Sequence, residues 1–181
     1  IEESWSASSG LELERAFSSR PEAVAAASLA VVVPSLDAWA SAWRAEARAS
    51  CESTHVRHEQ STERLDARHD CLERHRLRGQ AVIDLLQSAD VDALLRSEEL
   101  MLSLPDARMC SRPDAALGAT TRVGDDEHVK VLAVATADSV AGRITSAKAG
   151  LDALFAKLDP DVEPDLYTEA LRLRCEVVLA Q

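Results

Sequence analysis

The stretch Leu36–Arg78, LDAWASAWRAEARASCESTHVRHEQSTERLDARHDCLERHRLR, decides the fold of this chain. Leu36, Trp39, Ala40, Trp43, Ala47 and Cys51 follow at steps of three and four, the apolar stripe of an amphipathic helix. Ser35 suits its N-cap and Asp37 its first turn. From Thr54 to Gln60 only Val56 is apolar, which predicts a bend. Ser61 and Glu63 then open a second helix. On it Leu65, Leu72, Val82 and Leu86 recur at near-heptad spacing, and the helix is expected to reach Gln87. Gly79 inside it permits close packing or a slight bend.

On the N-terminal side, Glu2 to Ser19 reads as a helix with Trp5, Leu11, Leu13 and Phe17 as its apolar positions. Arg20-Pro21 marks a boundary, and Glu22 to Val32 makes a short Ala-rich helix that breaks at Pro34-Ser35. On the C-terminal side, Asp90 caps a third helix over Val91 to Leu102, stopped by Pro105. Residues 105–126 form an irregular connection, with a short helical turn expected at Asp114 to Leu117. Three shorter helices follow: His128 to Ala141, Ile144 to Leu158 and Asp165 to Ala180. Gly142 supplies a tight turn between the first two, and Gly142 with Ala147 fits a tetratricopeptide-like pair. The expected fold is all-α, with a helical bundle over 1–104, the connection, and tetratricopeptide-like hairpins over 127–181.

Composition agrees. Hydrophobic residues are 46% of the 181 and aromatics only 3%, so the core is built from small side chains that suit close helix packing. The formal charge of −11 argues against a nucleic-acid partner. The longest apolar run, Ala23 to Val33, is shorter than the roughly 20 residues of a membrane span. The start at Ile1 rather than Met reads as a fragment or a processed form.

No catalytic constellation, cofactor motif or metal site is expected. The cysteines, Cys51, Cys71, Cys110 and Cys175, form no C-x-x-C. An antiparallel hairpin centred near Ser61 would bring Cys51 and Cys71 within disulfide reach. A pairing that involves Cys110, favoured if the bend centres on His58, and a fully reduced set stay open. His55, His58, His69 and His75 read as solvated histidines of a charged helix pair. Trp39 and Trp43 are a candidate ligand cleft, although tryptophans at helical spacing are more often core. Lys148, Arg172 and Arg174 are candidate partner contacts on the last helices.

One resemblance covers most of the chain, in order. It rests on Phe17, Leu36-Asp37-Ala38, Trp43, Ala49-Ser50-Cys51-Glu52-Ser53-Thr54, Val56-Arg57 and Glu59-Gln60-Ser61. Cys71-Leu72-Glu73-Arg74, Asp84-Leu85-Leu86, Ala89-Asp90, Leu104-Pro105, Cys110, Gly142 and Ala147 continue it. Together these resemble the helical region and first tetratricopeptide repeats that follow the kinase domain in myxobacterial-type serine/threonine protein kinases. The pattern departs at His58, where the family usually has Gly, and at Pro34, where a continuous helix is usual. The resemblance implies a parent kinase that uses ATP and magnesium. This chain itself lacks a Gly-rich loop, Val-Ala-Ile-Lys, His-Arg-Asp and Asp-Phe-Gly. It implies a non-catalytic sensor or interaction region that binds a partner protein or peptide through helical grooves. The alternatives are an extracytoplasmic small-ligand sensor and a dimerisation scaffold, hence a homodimer. In such proteins a membrane helix often precedes this region, which favours the extracytoplasmic side over the cytoplasm.

Overall fold

A computed structural model describes residues 5–112 and 126–180, and among these the chain is all-helical with no strand. The helices are α1 (Ala7–Phe17), α2 (Glu22–His55), α3 (Thr62–Gln87), α4 (Val91–Leu95), α5 (Ser97–Leu102), α6 (Asp126–Val140), α7 (Ile144–Phe155) and α8 (Pro164–Leu179). A 3-10 turn spans Ala107–Ser111. The expected turn at Asp114 to Leu117 lies outside the described residues.

Two helix starts, those of α3 and α4, are capped by side chains as expected, whereas Ser35 lies inside α2. The Ser61 hydroxyl accepts from the Arg64 amide at 3.4 Å, and the Asp90 carboxylate accepts from the Ala93 amide at 2.9 Å. Gly142 sits at φ 78°, the left-handed conformation that ends α6 and turns the chain into α7. Leu13 and Phe17 of α1 are buried as expected, whereas Leu11 faces solvent.

Two boundaries differ from expectation. Glu22–His55 is one continuous helix that passes through Pro34. Thr54 lies 18 residues beyond Leu36, five full turns at 3.6 residues each, so both fall on one line of the helix. Ala25, Val32, Leu36, Ala40 and Thr54 are all buried near that line, and packing of both halves on one core outweighs the proline break. Joined in this way, α2 is long and apolar enough to cross a membrane by length and composition. Its face from Ala25 to Ala40 instead packs against α1, α3, α4 and α5 in the main core. The second difference lies at Arg96, which separates α4 from α5 within the single helix expected over Val91 to Leu102. The kink lets Ser97 turn inward, where its hydroxyl bonds the Leu94 carbonyl and Ser28 of α2 reaches the same oxygen at 2.9 Å.

The main core joins Trp5, Leu13 and Phe17 to Leu36, Trp39, Val82, Ile83, Leu86, Leu94 and Leu100. Gly79 lets α2 and α3 approach, since a Cβ there would run into the Trp39 ring. Helices α6 and α7 fold back as an antiparallel hairpin. Gly150 lies against Ala135, with an ideal Cβ 3.5 Å from the Ala135 Cβ, and Ser146 donates to Asp138 at 2.6 Å. Ala133 and Ala137 on one side of α6, with Ala141 just after it, enter the main core. Leu132 and Ala135 face a second core with Ala147, Leu151, Leu154, Ala170, Leu173 and Val177 of α7 and α8.

Candidate functional site

Two surfaces stand out. The first is α8. Ala170, Leu173 and Val177 pack inward on α7, the face a surface helix is expected to bury. Leu171, Cys175 and Val178, at i, i+4 and i+7, form a second stripe about 130° round the helix, and Leu179 extends it. Leu171 is 41% exposed, Val178 57% and Leu179 87%, so this second stripe is uncovered. With Arg174 these residues line one shallow apolar groove. α8 therefore carries two separate apolar faces.

The candidate contact residues flank that stripe. Arg172 pairs with Glu176 at 3.1 Å. Arg174 pairs with Asp152 at 3.5 Å, and its guanidinium carbon stands 5.0 Å over the Phe155 ring. Lys148 pairs with the same Asp152 at 2.6 Å, and both cations hold that carboxyl below its ordinary range, chiefly through the Lys148 hydrogen bond. On the other side of α8, a polar groove runs against α3 and α6, lined by Arg78, Thr136, Val140, Thr168, Glu169 and Arg172. An Arg78–Glu169 ion pair closes one part of it.

The second surface lies beside the hairpin of α2 and α3. Cys71 is bonded to Cys110 on the 3-10 turn, with the two Cα atoms 5.6 Å apart. The Cys51–Cys71 bond expected from a bend near Ser61 does not form, and Cys51 is free and exposed. The reason is register. The Trp43 indole N–H donates to the Leu72 carbonyl at 2.7 Å, and Arg68 pairs with Glu46 at 3.4 Å. Cys71 is thereby level with Trp43 and Ala47 rather than with Cys51. Cys51 also lies about 60° off the line through Leu36 and Thr54, and Ser50 and Thr54 are the buried residues there. Gln60 closes that polar end, donating to the Ser50 carbonyl at 2.9 Å and to Thr54 at 2.7 Å. Cys175 is likewise free.

His75 stands beside the disulfide, one turn after Cys71. Its Nδ1 is 3.7 Å from the Cys110 sulfur and its Nε2 is 4.0 Å from the Cys71 sulfur. Burial, then the positive charges of Arg78 and Arg74, push its pKa down to about 4. The ligand atoms of Cys71, His75 and Cys110 all lie within 4.8 Å of one another. Sequence reasoning grouped His75 with the solvated histidines. The signal that could have singled it out is its i+4 spacing from Cys71 on one helix face. His55, His58 and His69 are exposed.

Trp39 and Trp43, the candidate cleft, are packed. Trp39 lies in the main core over Gly79, and Trp43 joins Leu72, Ala107 and Cys110 in a satellite cluster. The Trp39 Nε1 finds no acceptor among the described residues.

No protein-family model matches the chain, and no curated protein or solved structure is significantly similar to it.

Proposed function

We propose that this chain is a non-catalytic protein-interaction region that binds an amphipathic helix of a partner protein along the outer face of α8. One observation carries the reading: α8 has two separate apolar faces, of which the α6–α7 hairpin covers one. A helix of that kind suits the interior of a helical stack, and tetratricopeptide-like arrays bury successive hairpins in this way. The partner helix supplies the missing layer, offering apolar residues at i, i+3, i+4 and i+7 to Leu171, Cys175 and Val178. Arg172 and Arg174 flank the stripe and favour acidic residues beside the partner's apolar face. The residue blocks shared with kinase-associated helical regions support a parent serine/threonine kinase. The Cys71–Cys110 disulfide supports an oxidising, extracytoplasmic compartment.

The test uses a fluorescein-labelled, acidic, Leu-rich amphipathic helix and anisotropy titration. Saturable binding is expected, and the exposed double variant Leu171→Glu/Val178→Glu is expected to lose it by at least about 100-fold, the worth of two buried apolar contacts. Equal binding to both proteins overturns the reading. Sedimentation of the same pair separates the scaffold alternative, because a dimer dispersed by the double variant makes the occupant a second copy of this chain.

A further inference from the structure

We propose that reduction of the Cys71–Cys110 disulfide opens a site for a thiophilic divalent cation of the zinc class, held by both thiolates and the His75 imidazole. Helix α3 supplies Cys71 and His75 one turn apart on the same face, and the turn Ala107–Ser111 brings Cys110 across to them. Three ligand atoms already gather within 4.8 Å. Around a tetrahedral zinc, bonds of about 2.3 Å to sulfur and 2.0 Å to nitrogen imply sulfur–nitrogen edges of about 3.5 Å and a sulfur–sulfur edge of about 3.8 Å. A single nitrogen must serve both edges, and Nε2 lies 4.0 Å from each sulfur, close to the first requirement. Opening the bond meets the second by side-chain rotation, with α3 and His75 in place. Cys110 is buried against Leu72 and Ala107, while Cys71 is partly exposed, so the site has a dry floor and an open side. A set of two thiolates and one imidazole selects zinc-like ions over magnesium or calcium and leaves a fourth position for water.

The chemistry balances with a dithiol as reductant. One thiolate of the dithiol attacks the accessible Cys71 sulfur, and Cys110 leaves as a thiolate that takes a proton from solvent. The second thiol then closes the reductant's own disulfide and releases Cys71. Two electrons and two protons have passed to the protein. The cation displaces the two thiol protons and forms two metal–sulfur bonds and one metal–nitrogen bond. Either the disulfide or the metal thus clamps the turn to α3, and the ambient redox state selects which.

The 181-residue chain carrying Cys51→Ser and Cys175→Ser serves as the background, since both are exposed and outside the cluster. It is reduced with a water-soluble phosphine, freed of reductant under argon, and titrated with cobalt alone. Thiolate-to-cobalt charge transfer and tetrahedral d–d bands are expected to saturate at one equivalent, with about two protons released per metal. The oxidised protein is expected to show neither. His75→Ala in the reduced background is expected to weaken binding by about tenfold or more. Absence of the bands after reduction overturns the proposal, and so does undiminished affinity in His75→Ala. If reduction alone lowers the helical circular dichroism, zinc is expected to restore it, and failure to do so overturns the proposal equally.

Discussion

At His58 the backbone adopts φ 55°, the left-handed region in which a Cβ crowds the following carbonyl. The turn is nonetheless held. The Glu59 amide donates to the Ser53 carbonyl at 2.8 Å, and Arg57 pairs with Glu59 at 2.8 Å and Glu52 at 3.3 Å. Glycine meets no such crowding. His58→Gly is therefore expected to stabilise the protein by about 0.5–1 kcal/mol, after the added unfolded-state entropy is discounted. A urea midpoint below that of the parent would count against it. His75 makes the opposite kind of demand, because the folded chain keeps its imidazole neutral. Arg74, Arg78 and Asp106 are the charged groups around it, beside the bonded Cys71 and Cys110. The unfolded chain protonates this histidine near 6.5 and the folded chain only near 4. Between those values the unfolded state binds more protons, so stability falls as pH drops through that window and levels off below it. At pH 4.5 the loss relative to pH 7 is expected to be roughly 2 kcal/mol greater than in His75→Gln, read from urea unfolding of both proteins. Equal losses would remove His75 as the cause.

Helix α2 shows how far tertiary packing can override a local breaker. Pro34 has no amide hydrogen to give the Ala30 carbonyl, and its ring crowds that oxygen. It sits on the exposed side, where it adds nothing to the core. Pro34→Ala is accordingly expected to raise stability by about 1–3 kcal/mol, seen as a higher urea midpoint at unchanged m-value. A lower midpoint would mean that the proline shapes a bend the core requires. The α6–α7 hairpin is simpler. Gly142 reverses the chain, small residues at Ala135 and Gly150 let the helices close, and Asp138 ties the turn through Ser146. Its second contact, Ala133, Ala137 and Ala141 against the bundle, places small side chains where α3 crosses α6. Helix α8 then closes the hairpin with one apolar face and leaves the other open.

Across the whole molecule, the helical character and several of the helix ends were readable from the chain itself. Ser61, Asp90 and Gly142 act within a few residues of where they stand, and the apolar stripes at steps of three and four record which side of each helix is buried. Gly79 marked a close approach, although only the fold names Trp39 as what approaches. The candidate site was less legible. Cys71 and His75 are spaced as partners on one helix, but their third member lies 39 residues beyond Cys71 on a turn with no strong pattern of its own. Lys148, Arg172 and Arg174 were visible as cations near the end of the chain, whereas the apolar stripe between them reads in sequence like any other buried face. What the sequence by itself determined was helical content, capping, the main turns and the amphipathic faces, because those depend on interactions within a turn or two. The tertiary structure alone decided that α2 runs through Pro34, that Cys71 takes Cys110 rather than Cys51, and that α8 keeps one apolar face uncovered. Each of these depends on the register and packing of segments far apart in the chain, where many weak contacts outweigh one local preference.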